Sequence, residues 1–180
     1  MADITLTRLT EDDREQFILD NQRAFKYGAT EEFGMRDDHF EEGGEIISRE
    51  TIENSIDHGV AYRIREDGRI VGGLVLKINE ETQHNELELL FVDPEAHSKG
   101  IGHAAWQKVE QLYPETEVWE TCTPCFETRN IHFYVNKCGF HIVELFNSFH
   151  PDPHDPETGG ENSYDDAAFD GMFRFEKQMK

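Results

Sequence analysis

Apolar and polar residues alternate from Ile4 to Leu9, with Ile4, Leu6 and Leu9 set apart by Thr5 and Thr7, and this period of two predicts a first strand. A helical period follows, carried by Phe17, Ile18, Asn21 and Phe25. Thr10 is its expected N-cap, Asp13 stands at the capping-box position, and Tyr27-Gly28 is its expected end. Residues 29–45 mix Phe33, Met35 and Phe40 with many charges, and Gly43-Gly44 would break any helix there. Ser48 to Asp57 reads as a second helix, with Ile47, Ile52 and Ile56 on one face. Val60–Glu66 and Arg69–Asn79 form a hairpin around Asp67-Gly68, a two-residue turn signal. Within its second strand, Gly72-Gly73 points to a bulge or a close backbone approach.

The stretch from Glu86 to Pro114 organises the rest. Leu87, Leu89 and Phe91 alternate with Glu86, Glu88 and Leu90 as a strand, which Asp93-Pro94 stops, since proline lacks a ladder donor. After a polar loop come Gly100-Ile101-Gly102, then Ala104, Ala105, Trp106, Val109 and Leu112 at helical spacing. Downstream, Glu117–Cys122 reads as a fifth strand, Thr128–Lys137 as a helix, Phe140–Phe146 as a sixth strand and Met172–Gln178 as a last one. Between the last two, about residues 150–170, proline, glycine and acids without any period indicate a loop excursion.

A strand, a glycine loop and a helix in that order make an anion cradle: glycine lets the main chain approach, and the unpaired N–H groups of the first turn face the ligand. It is no Walker A loop, because Lys99 precedes the glycines. Gly100, Gly102 and Ala105 satisfy the dinucleotide spacing, and Glu120 stands where a ribose-binding acid would. Yet seven residues, Asp93 to Lys99, separate strand from glycine, and only sixty residues follow Glu120.

At 180 residues the chain is expected to form a single domain over 1–180. It has no apolar run of eighteen residues, and its start, MADITLTRLTEDD, is neither basic nor apolar, so a cytoplasmic location is expected. Three cysteines argue against a disulfide framework. Cys122 and Cys125 have C-x-x-C spacing, with Cys138, His132 and His141 as further ligand types, but no second C-x-x-C exists and no metal is expected. Seventeen bases against thirty-eight acids give a net charge of −21, which disfavours nucleic acid and anionic membrane as partners. The same charge opposes any polyanionic ligand unless Lys99, Lys108, Arg129 and Lys137 screen it locally.

Val92-Asp93-Pro94 followed by His97-Ser98-Lys99-Gly100-Ile101-Gly102 resembles motif A of the GNAT N-acetyltransferases, and Ile131-His132-Phe133-Tyr134-Val135-Asn136-Lys137-Cys138-Gly139-Phe140 resembles their motif B. The resemblance spans about residues 4–147. It implies an α/β (α+β, mixed-sheet) acyltransferase fold: a central twisted sheet of about seven strands with flanking helices, the fourth and fifth splayed to admit acetyl-CoA as cosubstrate. The main chain of Leu90, Phe91 and Val92 would then pair with the pantetheine arm. The segment His97, Ser98, Lys99, Gly100, Ile101, Gly102 and His103 would hold the diphosphate. His97 replaces the usual Gln or Arg, Glu127 stands where Asn is usual, and Asn130 is at best a substitute for that outer contact.

Tyr134 occupies the position from which many members protonate the leaving thiolate, a phenol being a fit donor; as an alternative it is a core aromatic beside Phe133 and Phe140. Glu86 and Glu88 project from one face of the fourth strand as candidate bases. Glu86 stands fourteen residues before Gly100, where histone-type members hold theirs. The expected reaction is acetyl transfer to a primary amine, small or on a protein, with a homodimer admitted. Between Glu31 and Asp57 ten acids and two bases leave a net −8, which would favour a small cationic acceptor; the alternative is a solvated acidic face. A non-catalytic module that binds coenzyme A or a partner is the other function class.

Overall fold

The structure, a computed structural model, describes residues 2–30, 46–96, 99–125, 127–153 and 171–180. Most of the acidic stretch between the first two helices, most of the excursion at 150–170, and His97 and Ser98 lie outside the described residues. Two compact units are present, Met1–Thr116 and Glu117–Lys180.

The first unit carries strands β1 (Ile4–Arg8), β2 (Val60–Glu66), β3 (Arg69–Lys77) and β4 (His84–Val92), paired antiparallel in that order, with helices α1 (Arg14–Thr30), α2 (Arg49–His58) and α3 (Ile101–Leu112). The β2–β3 hairpin turns through Asp67 at φ 49 and Gly68 at φ 84, two consecutive left-handed residues that match the strand twist. Phe17 and Ile18 of α1 and Ile52 of α2 pack with Ala61, Val75, Leu89 and Phe91 of the sheet. Ile64, Leu74 and Leu76, which alternate with those strand positions, are buried as well, and Ala105, Trp106 and Val109 of α3 are buried where that helix meets β1 and β4. Burying each of these large apolar side chains contributes about 1.5–3 kcal/mol.

Helix α2 starts as the sequence predicts: Ser48 is the N-cap, and its hydroxyl accepts from the Thr51 N–H at 3.1 Å. The opening of α1 differs. Thr10 makes no side-chain cap, Glu11–Asp13 form a 3-10 turn, and Asp13 is drawn to Arg63 instead of closing a capping box. The helix also continues past Gly28 to Thr30, because glycine only weakens a helix interior.

The second unit pairs β5 (Val118–Pro124), β7 (Met172–Gln178) and β6 (His141–Phe146) antiparallel, with β7 in the middle. Strand β5 runs two residues beyond the predicted Cys122, since Thr123 and Pro124 extend the ladder opposite Phe173 and Met172. The helix predicted over Thr128–Lys137 divides into α4 (Thr128–His132) and a wider π turn over Phe133–Lys137, where the Cys138 N–H reaches back five residues to the Phe133 carbonyl. Gly139, at φ 81, then reverses the chain into Phe140, which is fully buried.

Candidate active site

The acidic candidates sit where β4 departs from regular pairing. Val75 is opposite Leu89 and Leu76 opposite Leu87, so Glu88 is an extra residue, a bulge on β4 with no partner on β3. The bulge turns Glu88 toward Lys77, which stands across the ladder from Glu86. The Lys77 ammonium lies 3.1 Å from Glu88 Oε1 and 4.0 Å from Glu86 Oε2. Partial burial pulls the Lys77 pKa down, but the Glu86 and Glu88 charges and the hydrogen bond to Glu88 outweigh it, so the net shift is upward and the ammonium is held charged. The other Glu88 oxygen, Oε2, is buried and has no hydrogen-bond partner among the described residues, although the side chain as a whole is 20% exposed. A buried carboxylate oxygen with nothing donating to it is costly unless something arrives to fill it.

Farther along β4, Leu90, Phe91 and Val92 bring the main chain into close packing. Phe91 stacks edge-on against Phe17, ring centroids 5.1 Å apart, while Leu90 and Val92 are half-buried opposite Leu74 and Gly72. A Cβ on Gly72 would stand 2.3 Å from the Phe91 carbonyl oxygen, so the expected close approach is real, and a bulge at Val71 accompanies it. Asp93 ends the strand: its N–H donates to the Val71 carbonyl at 2.7 Å and its side chain accepts from the Glu95 N–H and from Arg23.

Beyond the 3-10 turn Pro94–Ala96, the described chain resumes at exposed Lys99. Gly100 is the N-cap of α3 in left-handed conformation, φ 75, with no side chain to cap the helix, and the first turn contains no acidic residue. The Ala104 N–H makes the first helical bond, to the Gly100 carbonyl. The N–H groups of Ile101, Gly102 and His103 precede that bond and have no acceptor within the helix. A glycine cap, a nearby lysine and a first turn without acidic residues fit a diphosphate. His97 and Ser98 belong to the same predicted segment and lie outside the described residues.

In the second unit Tyr134 sits on the π turn, its ring 5.7 Å from Phe140 and 5.6 Å from Phe175. Burial pushes its hydroxyl up to about 12; a hydrogen bond with Thr121 pulls the other way, and Cys138 and Cys122 add to the rise. The ring contacts are those of the core-aromatic alternative. Asn130 donates to Thr123 Oγ1 at 3.3 Å, which ties α4 to the end of β5. No disulfide joins Cys122, Cys125 and Cys138, and among the described residues no three His, Cys, Asp or Glu side chains gather as a metal-binding group. No described helix is long and apolar enough to cross a membrane.

Two partners escaped the sequence. The sequence marks Lys77 only as part of a strand, and its place beside both glutamates depends on the Glu88 bulge. Thr121 lay among the alternating residues of β5, with nothing to single it out.

Known proteins resemble the chain at several levels. The family model described as "Acetyltransferase (GNAT) family" matches residues 15–140. An uncharacterized protein of Bacillus subtilis (strain 168), YrkN, is 45% identical over 179 residues, covering 98% of this chain and 94% of the relative. Among solved structures, the ribosomal-protein-S18-alanine N-acetyltransferase of Escherichia coli superposes with a TM-score of 0.66 at 12% identity, over 99% of this chain and 95% of that one. An acetyltransferase of Bacillus subtilis in complex with CoA does so with a TM-score of 0.64 at 17% identity, covering 100% of both. The fold is therefore the acyltransferase fold that motifs A and B implied, with its seven strands and flanking helices. Given the family match over most of the chain and the glycine-capped helix that follows β4, this protein belongs to the GNAT family of acetyltransferases.

Proposed function

We propose that the protein moves an acetyl group from acetyl-CoA to a primary amine of a small cationic acceptor, by direct attack. The observation that carries this reading is Glu88, a carboxylate with one oxygen bound by Lys77 and the other buried and unpartnered. An incoming ammonium would donate to that oxygen and lose its proton there, leaving the neutral amine that attack on a thioester requires. Glu86, more exposed and farther from Lys77, serves as the second carboxylate that attracts the cation.

The main chain of Leu90, Phe91 and Val92 pairs with the pantetheine arm and meets the negative charge that grows on the carbonyl oxygen. Lys99 and the N–H groups from Gly100 to His103 take the diphosphate, together with His97 and Ser98. Tyr134 gives its proton to the departing thiolate, and Asn130 supports the outer part of the cosubstrate. Thioester and ammonium thus become free thiol, amide and one proton: the proton lost before attack passes through Glu88 to water, and the one the nitrogen loses after attack replaces the proton that Tyr134 gave to the thiolate. The reaction is assigned to the cytoplasm, with neither nucleic acid nor membrane as partner, consistent with the net charge of −21.

A second reading, coenzyme A binding without turnover, is favoured by the Tyr134 hydroxyl, which is engaged with Thr121 and is a weaker acid than an ordinary phenol. Thiol release from acetyl-CoA in the presence of polyamines, aminoglycosides and amino acids separates the two. Turnover with a polyamine, lowered at least about 100-fold in Glu88→Gln and clearly slowed in Tyr134→Phe, is expected. Tight CoA binding with silence across the panel would leave the binding module standing.

A further inference from the structure

We infer that Lys77 is a positioning residue for the base, an inference that rests on the reading of Glu88 given above. Two carboxylates two residues apart on one strand repel each other, and the bulge at Glu88 brings both to a single ammonium. That ammonium does not treat them alike. It binds the less exposed Glu88 through Oε1 at 3.1 Å and stays 4.0 Å from Glu86. A hydrogen bond on Oε1 fixes the rotation of a carboxylate that would otherwise turn about three side-chain bonds, so it is Oε2, buried and unpartnered, that is presented.

Lys77 also sets the charge. Two carboxylates and one ammonium leave a single net negative charge for the amine, whereas without Lys77 there would be two. Losing the lysine would therefore not weaken attraction for a cation, yet it would let the base rotate away. Rate and affinity separate in this way only if Lys77 acts through Glu88.

Steady-state thiol release from acetyl-CoA with spermidine, on the full chain, tests it. Lys77→Met keeps the aliphatic stem and removes the charge. It is expected to lower kcat about tenfold with KM for spermidine unchanged or lower. Lys77→Arg should restore kcat to within about threefold of wild type. In a Glu88→Gln background, Lys77→Met should change kcat by less than about twofold, because the group it positions is gone.

A normal kcat in Lys77→Met beside a slow Glu88→Gln overturns the positioning role and leaves the base in place. The same holds for equal losses in both backgrounds, or for a raised KM together with a lowered melting temperature. A wild-type rate in Glu88→Gln, or a wild-type chain that turns over no amine, overturns the base and the positioning role together.

Discussion

The guanidinium of Arg63 donates to both carboxylate oxygens of Asp13, at 2.6 and 2.9 Å, and to Asp20 at 3.0 Å, with the arginine side chain only 1% exposed. It also lies over the Phe17 ring, 5.1 Å from the centroid. This one side chain binds β2 to the 3-10 turn and first helix, and so helps hold Phe17 against Phe91 of the strand that carries the candidate base. Asp13→Ala would leave a buried cation with half its partners, for an expected loss of about 3 kcal/mol in urea denaturation. Arg63→Met, which removes the charge but keeps the stem, should lose less.

Gly72 and Gly28 should respond oppositely to the same substitution. A Cβ at Gly72 meets the Phe91 carbonyl oxygen at 2.3 Å, a main-chain atom that moves only if β4 moves. Gly72→Ala is expected to lose more than about 2 kcal/mol and to weaken CoA binding measured by calorimetry. At Gly28, within α1, a Cβ meets nothing within 4 Å, and Gly28→Ala should gain about 0.5–1 kcal/mol.

Gly100 has open space around it but a φ of 75, so a side chain there is strained by conformation and not by contact. Gly100→Ala should fray the start of α3 and weaken CoA affinity about tenfold, while Gly100→Asn, which tolerates the left-handed region better, should lose less. Calorimetric titration with CoA ranks the three proteins.

Tyr134, with a folded-state pKa of about 12 against about 10 when unfolded, gives a pH signature. Its contribution to stability is complete below pH 10 and is lost as pH rises toward 12, because the unfolded chain releases the proton first. Tyr113 is also raised, by burial first and then by its hydrogen bond with Tyr62, and adds to the same alkaline loss. Denaturation at stepped pH should show stability falling above pH 10, with a shallower fall in Tyr134→Phe. Phenolate absorbance should show Tyr134 still protonated at pH 10. A normal titration near pH 10 would remove the buried-hydroxyl account.

Strands bounded by strong turn signals were legible in advance. The hairpin around Asp67-Gly68 follows from a local φ requirement, and the alternation of Leu87, Leu89 and Phe91 is the buried face of β4. The helical period placed even Asn21 correctly on the buried side of α1. The start of that helix differs from its local pattern, which Thr10 and Asp13 satisfy, because Asp13 answers to an arginine fifty residues away. The predicted helix at Thr128–Lys137 hid its π turn for a similar reason: apolar spacing shows that a segment is helical without fixing how tightly each turn winds.

The amino-acid order by itself determined the family, the strand–glycine–helix unit and the residue types available for acyl transfer, because these rest on spacing, turn chemistry and hydrophobic period over neighbouring positions. Only tertiary structure decided which oxygen of Glu88 is left unpartnered, that Lys77 holds the other, and that the Tyr134 hydroxyl faces Thr121. Those relations depend on a one-residue slip in pairing between strands and on the side chains that burial brings together, and neither is written in any local stretch of sequence.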